Sequence, residues 1–485
     1  MQTNPPTRTL MDDLILYTDF YQLTMAQGYF LAGKHQQQAG FDYFFRKAPF
    51  QGGYAVFAGL GTLLEILEGF TFQKEHLEYL RSQGFQNEFL DYIRGFHFSG
   101  NIYAPREGEV VFPGEPILRV EAPLIEAQIL ETLLLNILNF ETLIATKASR
   151  MRWVAGENRS LVDFGLRRAQ GLGGIHASKA AIIGGFDASS NVFSGYRIGI
   201  PVNGTQAHAW VQSFDTELEA FQTFARLFPE NTTLLVDTYD TLKLGVPNAI
   251  RVAKEMEARG QKMNAIRLDS GDLAYLSIQA RQMLDEAGLN YVKIAASNSL
   301  DEHTIKSLIA QNARIDVFGV GTRLVTAKGS PALGGVYKLI EIDGQPKVKI
   351  SNNVEKMTLP GKKHVYRYFD DAGRFQIDGI QLQEEAESPA RLVHPHYAHQ
   401  TKRVGGLGKY ELHQTVIEAG KRVIDIPHFT ESKQYAAEQL ERLPQEHRRF
   451  ENPHIYKVGI TDKLMNLRDE LVTRYRGEIY QETEQ

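Results

Sequence analysis

The sequence predicts an α/β fold built on parallel βα units, followed by a β-rich C-terminal part. Three observations lead there. From about residue 160, short apolar runs alternate with amphipathic stretches of roughly ten to fifteen residues, the rhythm of strand and crossover helix. The runs end at Asp237, Asp269, Ser297 and Gly321, the carboxyl ends of strands where such folds bind ligands. Beyond about residue 335 the helical period is replaced by short strands with Asp-Gly and Pro-Gly turns.

At 485 residues the chain exceeds the roughly 250–300 at which a single core stops growing, so several domains are expected. We place them at 1–150, an N-terminal α/β domain completed by C-terminal segments; at 151–340, the βα units; and at 341–485, a C-terminal extension. A content of 43% hydrophobic and 23% charged residues belongs to a globular chain. The formal charge of -5 offers no basic field for nucleic acid or an anionic membrane, so an anionic ligand must be held by local arginines. There is no cysteine, which excludes disulfides, thiolate metal sites and cysteine nucleophiles and permits a reducing compartment. "MQTNPPTRTLMDD" lacks the apolar centre of a signal peptide, and no run of about 18 apolar residues could span a bilayer. The expected location is cytoplasmic.

In chain order, "DLILYTDFYQLTMAQGYF" carries aromatics at helical spacing and predicts a helix. "FDYFFRKAPFQGGYAVFAGL" alternates aromatic and polar residues into Gly-rich turns, as strands do, and "GNIYAPREGEVVFPGEPILRVEAP" is a strand-rich block cut by Gly and Pro. "LIEAQILETLLLNILNFETLIATKASRMRWVAG", apolar on most faces, predicts a buried helix or helix pair. The βα units follow. "SLVDFG" precedes "SKAAIIGGF", "TLLVD" precedes "NAIRVAKEMEARG", "NAIRLD" precedes "DLAYLSIQARQMLDEAG", and "YVKIAAS" precedes "SLDEHTIKSLIAQN"; "IDVFGVG" closes the series. Four or more such units form a barrel or a doubly wound sheet. "TDKLMNLRDELVTRY" opens on a capping Thr or Asp and predicts a terminal amphipathic helix.

Several residues could carry chemistry. "DFGLRRAQG" places Phe164, Arg167 and Arg168 where a strand yields to a Gly-bounded turn, and an arginine fork pairs with carboxylate or phosphate at two points. Taken alone, the pair reads first as solvated or salt-bridged charge. In "IRLDSGDL" the two-residue strand period puts Arg267 and Asp269 on one face, a cation beside an anion, suited to a sugar phosphate and a hydroxyl or metal-bound ligand; a simple buried ion pair is the blander reading. Asp272 precedes a helix and reads as its N-cap. "VFGVGTRLVT" sets Gly319, Gly321 and Thr322 where amides can approach a phosphate, without the full dinucleotide or P-loop pattern. "GGLGKY" precedes no helix pattern and is set aside. In "GTQAHAWVQSF", His208 follows Thr205 by three residues among apolar neighbours. Isolated histidines are mostly core or surface residues, and no metal-ligand spacing surrounds this one. A neutral imidazole in a partly dry site is nonetheless a nucleophile or base when a carboxylate fixes its tautomer, and Asp237 is the candidate.

Eight segments, "TDFYQLTMAQGYF", "FDYFFRKAPF", "DFGLRRAQG", "GGFDASSNV", "GTQAHAWVQSF", "LLVDTYDT", "IRLDSGDL" and "FGVGTRLVT", taken in order over most of the chain, resemble the nicotinate phosphoribosyltransferase family. The resemblance implies conversion of nicotinate and 5-phosphoribosyl 1-diphosphate (PRPP) into nicotinate mononucleotide and diphosphate, in NAD biosynthesis, with coupled ATP hydrolysis and Mg²⁺. It implies an irregular α/β barrel of the type II phosphoribosyltransferase kind, an α/β domain built from both chain ends, a β-rich C-terminal extension, and a homodimer with shared active sites. His208 then matches the histidine phosphorylated by ATP, and Asp237 its orienting carboxylate. Thr205, Arg267 and Tyr21 match positions that hold nicotinate, with Tyr21 from the neighbouring subunit, and Phe164 would stack on the pyridine ring. Arg167 matches a residue near base and phosphate. Asp269 would meet the ribose hydroxyls or the magnesium diphosphate, while Ser297, Gly321 and Thr322 would hold the 5-phosphate.

Ser190 stands where nicotinamide-using relatives carry an aspartate. A serine hydroxyl can donate to a carboxylate without repelling it, which favours nicotinate, although Asp187 competes for that position under a shifted alignment. Nicotinamide phosphoribosyltransferase is thus one alternative. Another is a catalytically idle nucleotide-binding relative or scaffold, which has no need of His208, Asp237, Arg267 and Asp269 together. Quinolinate phosphoribosyltransferases are shorter and have no ATP-linked histidine.

Overall fold

A computed structural model describes residues 13–353 and 356–483, so "MQTNPPTRTLMDD" lies almost wholly outside the described residues. The chain forms two compact units, one of residues 1–143 with 332–485 and one of 144–331. Among the described residues no helix is long and apolar enough to cross a membrane.

In the first unit, the aromatic-rich strand Gln38–Phe45 is buried along nearly its whole length, between Leu118–Pro123 on one side and Gly335–Ile342 on the other. These are the centre of a seven-stranded antiparallel sheet that also takes in Asn101–Ala104 and Gln414–Glu418. Residues from both chain ends therefore complete one sheet. A second, six-stranded sheet holds the rest of the β-rich C-terminal part, over a core of Val365, Ile380, Leu382, Val393, Ile460 and Leu464. The first helix starts at Phe20, later than its aromatic periodicity suggests, because Asp19 is extended and Leu14–Leu16 form a separate 3-10 turn. The long apolar segment is a pair, Leu124–Ile129 and Glu131–Ala155.

One buried charge ties the two chain ends together inside this unit. Arg367, 0% exposed, donates from Nε and Nη2 to Asp378 at 3.0 and 2.7 Å and from Nη1 to Glu109 at 2.5 Å. Removing one partner of such a network leaves uncompensated buried carboxylates. Arg367→Ala is expected to cost about 3–5 kcal/mol of stability, read as a large fall in the urea midpoint; an unchanged midpoint contradicts this.

The second unit holds the βα series. Its six strands are all parallel, in the order Ala188–Ser189, Ser160–Asp163, Val317–Val320, Lys293–Ser297, Ala265–Leu268, Thr233–Leu235. The first strand in sequence, Ser160–Asp163, pairs with the last, Val317–Val320, which is the closure of a barrel. A single seam remains, between the second strand and the third. Leu161, Leu234, Ile266, Ile294 and Phe318 are all 0% exposed, as strands flanked by helices require. The helices start where their caps predict: Asp272 accepts from the N–H of Tyr275 and Asp301 from that of Thr304.

Candidate active site

The seam is filled by the segment that carries Thr205 and His208. On one side Val202 bridges to Ser189, whose N–H donates to the Pro201 carbonyl at 3.0 Å. On the other, the Gln206 amide donates to the Thr233 carbonyl at 3.2 Å. Thr205 meets Arg267 and His208 lies near Asp269, so the loop brings its expected substrate residues to the carboxyl ends of the strands.

Arg267 is the central cation there. Its Nη1 donates to Thr205 Oγ1 at 2.7 Å and to the Gln206 carbonyl at 3.1 Å, and its Nη2 lies 3.8 Å from Asp269. Its guanidinium carbon is 5.8 Å from the centre of the Phe164 ring. Burial lowers its pKa, opposed by the carboxylates of Asp269 and Asp237 and assisted by the nearby charge of Arg167. Phe164 sits against Gly319, where a Cβ would fall 2.3 Å from the ring. Gly319 read in sequence as a place for phosphate to approach; in the fold its lack of a side chain makes room for Phe164.

Asp269 joins the strand ends. It accepts a short hydrogen bond from the Ser297 hydroxyl, its own N–H donates to Asp237 Oδ2 at 2.9 Å, and its Oδ2 lies 3.8 Å from His208 Nε2. Asp237 also accepts from the Ser270 hydroxyl at 2.6 Å. The expected contact between Asp237 and His208 is not formed. Thr238 takes that place, its Oγ1 3.1 Å from His208 Nδ1, because Asp237 is turned toward the backbone of the neighbouring strand end. Nor do the apolar flanks bury His208, whose side chain is 39% exposed. Trp210 instead packs with Phe214 and Phe224, and His208 opens the short helix His208–Gln212.

Three buried polar atoms here have no hydrogen-bond partner among the described residues, Gln206 Oε1, Arg267 Nε and Asp237 Oδ1. A buried donor and acceptor left unspent in one site are what a bound anion and a bound cation would satisfy. Ser297 is 4% exposed and is followed by Asn298 and Ser299 with φ of 85° and 52°, two left-handed non-glycine residues in succession at a strand exit. Gly321 is the N-cap of the one-turn helix Thr322–Val325, and Thr322, its first residue, is exposed. The neighbouring Arg323 pairs with Asp301 at 2.6 Å, linking the exits of the two strands expected to hold phosphate. Burial raises the Asp301 pKa, but the Thr304 N–H and the Arg323 guanidinium outweigh it and hold the carboxyl below its usual range.

Arg167 is exposed in the turn after Phe164, and Ser190 is half-buried at the exit of its strand. Asp187 lies at the other end of that strand, paired with Arg152 at 2.6 Å, beside a cavity of about 410 Å³ at the amino ends of the strands. It is thereby separated from Ser190 by fold as well as by sequence. Tyr21 belongs to the first unit, 49% exposed on the helix Phe20–Leu31. Sequence reasoning missed Thr238, since nothing in "VDTYD" distinguishes its hydroxyl from that of any turn threonine.

Comparison with known proteins agrees over most of the chain. Residues 159–378 match the nicotinate phosphoribosyltransferase (NAPRTase) family, residues 16–139 its N-terminal domain and 362–468 its C-terminal domain. The chain is 46% identical to the nicotinate phosphoribosyltransferase of Bacillus subtilis (strain 168) over 98% of both chains, and 35% identical to that of Bos taurus over 95% of this chain and 97% of the other. The crystal structure of human nicotinic acid phosphoribosyltransferase superposes with a TM-score of 0.84 at 32% identity, covering 94% of this chain and 99% of that one. A nicotinate-nucleotide pyrophosphorylase from Pyrococcus furiosus shares the fold, with a TM-score of 0.71 at 23% identity over 90% and 99%. With its barrel, its strand-end constellation and these likenesses, the chain belongs to the nicotinate phosphoribosyltransferase family of enzymes.

Proposed function

We propose that this enzyme makes nicotinate mononucleotide and diphosphate from nicotinate and PRPP, in NAD biosynthesis, and couples the reaction to ATP through phosphorylation of His208. The observation that carries this reading is the convergence, at one end of a parallel sheet, of Arg267 with an unspent N–H, the Phe164 ring, and an Asp237–Asp269 pair beside a half-exposed imidazole.

Arg267 and Thr205 receive the carboxylate of nicotinate, and Phe164 receives a face of its ring. The ring nitrogen then forms its bond to C1 of the ribose as the C1–O bond to diphosphate breaks, the electron pair leaving with diphosphate. Positive charge develops on the ribose, and the Asp269 carboxylate offsets it. Ser297, Gly321 and Thr322 anchor the 5-phosphate, which holds C1 in line with the nitrogen. The residues fit a Mg²⁺ ion: Asp237 Oδ1 is buried and unpartnered among the described residues, and Mg²⁺ commonly takes one or two carboxylates together with substrate phosphate oxygens. Bound there, it would neutralise the departing diphosphate.

In the ATP step a nitrogen of His208 attacks the γ-phosphorus, the bond to ADP breaks, and water later releases inorganic phosphate and restores the ring. While it lasts, the phosphohistidine changes the charge beside the PRPP loops, and it is expected to favour the arrangement that binds PRPP tightly. The helix Val192–Ile198 exposes Val192, Phe193 and Tyr196 at 70%, 52% and 86%, an apolar face that supports a homodimer in which Tyr21 of one copy completes the site of the other.

The test is product identification after mixing enzyme, PRPP and Mg²⁺ with nicotinate, nicotinamide or quinolinate, with and without ATP. Nicotinate mononucleotide, increased by ATP, is expected; product from nicotinamide alone overturns the reading. Ser190→Asp is expected to lower the nicotinate-to-nicotinamide kcat/KM ratio by roughly tenfold to a hundredfold, since it sets a carboxylate against a carboxylate. An unmoved ratio removes Ser190 from the acid pocket.

A further inference from the structure

Asp163 ends the strand Ser160–Asp163 and is 1% exposed. Its Oδ1 accepts from the Gly165 N–H at 2.8 Å, and its Oδ2 accepts from the hydroxyls of Ser178 at 2.9 Å and Ser189 at 2.8 Å. Its backbone carbonyl accepts from the Ser190 N–H at 2.8 Å. The network continues one step outward. Ser189 Oγ accepts from the Asn191 N–H at 3.0 Å, and the Asn191 amide donates to Ser178 Oγ at 3.1 Å.

One carboxylate thus binds three segments: the turn after its own strand, the helix Gly173–Ile183, and the exit of the strand Ala188–Ser189. Burial pushes its carboxyl above the usual range, and among the described residues the Ser189 hydroxyl, the Gly165 N–H and the Ser178 hydroxyl oppose that shift. A buried charge met by dipoles alone is an expensive way to fill a core, and an apolar side chain would fill it better. What an ionised carboxylate offers instead is acceptance on every lone pair, which a donor-bearing amide cannot copy toward three donors at once.

The residues immediately following the two tied strand ends are Phe164 and Ser190. Phe164 is held further by donating its N–H to the Val320 carbonyl at 2.8 Å, and Gly165 can carry no side chain because Val325 occupies the space 2.1 Å from where a Cβ would be. We propose that Asp163 is a positioning residue for the pyridine acid: it fixes the separation between Phe164 and Ser190, and so the fit of nicotinate. The proposal rests on the reading that those two side chains face nicotinate.

The test is steady-state kinetics of the full-length Asp163→Asn enzyme with nicotinate and PRPP varied separately, beside its melting temperature. The amide keeps the volume and turns one acceptor into a donor. KM for nicotinate is expected to rise about tenfold and KM for PRPP to change less than about twofold. A role in packing alone would lower the melting temperature and the active fraction while leaving both KM values in place. Ser189→Ala removes one of the three ties, is expected to move the nicotinate KM in the same direction by roughly threefold, and decides the matter if Asp163→Asn does not fold. An unchanged nicotinate KM in either folded variant, or an equal rise in both KM values, overturns the proposal. Phe164→Leu separates it from the reading beneath: if that variant leaves the nicotinate KM unmoved, the placement of nicotinate fails, whereas a rise in Phe164→Leu without one in Asp163→Asn removes only the role of Asp163.

Discussion

His208→Ala is expected to abolish ATP hydrolysis, lowering its rate by about three orders of magnitude or more, and to remove the stimulation of mononucleotide formation by ATP. In the proposed ATP step the imidazole accepts the γ-phosphoryl group, and alanine removes the attacking nitrogen. It is held between Thr238 at Nδ1 and Asp269 at Nε2, half exposed at the mouth of the sheet, so a nucleotide can reach it. The ring is not part of the contacts between Arg267, Thr205 and Phe164, which argues that its removal strikes coupling before nicotinate binding. ATP turnover measured with and without nicotinate and PRPP checks this. Undiminished turnover in the alanine variant would remove His208 from the phosphoryl path.

Arg267→Lys is the second large effect. An ammonium cannot reach Thr205 Oγ1, the Gln206 carbonyl and the Asp269 carboxylate in the fork geometry that the guanidinium uses. It would also leave the carboxylate of nicotinate without a two-point partner. Truncating one member of a buried charged pair costs about 2–4 kcal/mol, or a roughly thirtyfold to thousandfold fall in kcat/KM for nicotinate. The loss is expected mainly in KM for nicotinate, because in the proposed reaction the interaction is made with the bound acid before and during transfer. A variant with wild-type nicotinate KM and a depressed kcat would place Arg267 on the ribose or diphosphate instead.

Much of this site can be read from the chain because parallel βα units put ligands at strand ends, and Asp237, Asp269, Ser297 and Gly321 announce those ends by interrupting apolar runs. Arg267 and Asp269 share a face by the strand period alone. What sequence does not reveal is which strand end turns toward which. Asp237 reads as the partner of His208 and instead accepts from the backbone of Asp269, while Thr238, one residue on, meets the ring. Such a choice depends on the register between neighbouring strands and not on residue type. The seam is likewise invisible in a βα rhythm that is compatible with a closed barrel or an open sheet, yet it decides where the Thr205 loop lies. Asp163 was hidden for a third reason: in "SLVDFG" it ends an apolar run as the others do, and only its three donors, from segments up to 26 positions away, set it apart.

The measurement that tests ATP coupling through His208 most directly is transfer of label from γ-³²P-ATP. Acid-labile, base-stable label is expected on the peptide that contains His208, is expected to be discharged when PRPP and nicotinate are added, and is expected to be absent from His208→Ala. A wild-type enzyme that forms nicotinate mononucleotide under ATP stimulation without labelling that peptide, or a His208→Ala enzyme that still takes up the label, would contradict a phosphohistidine at this position.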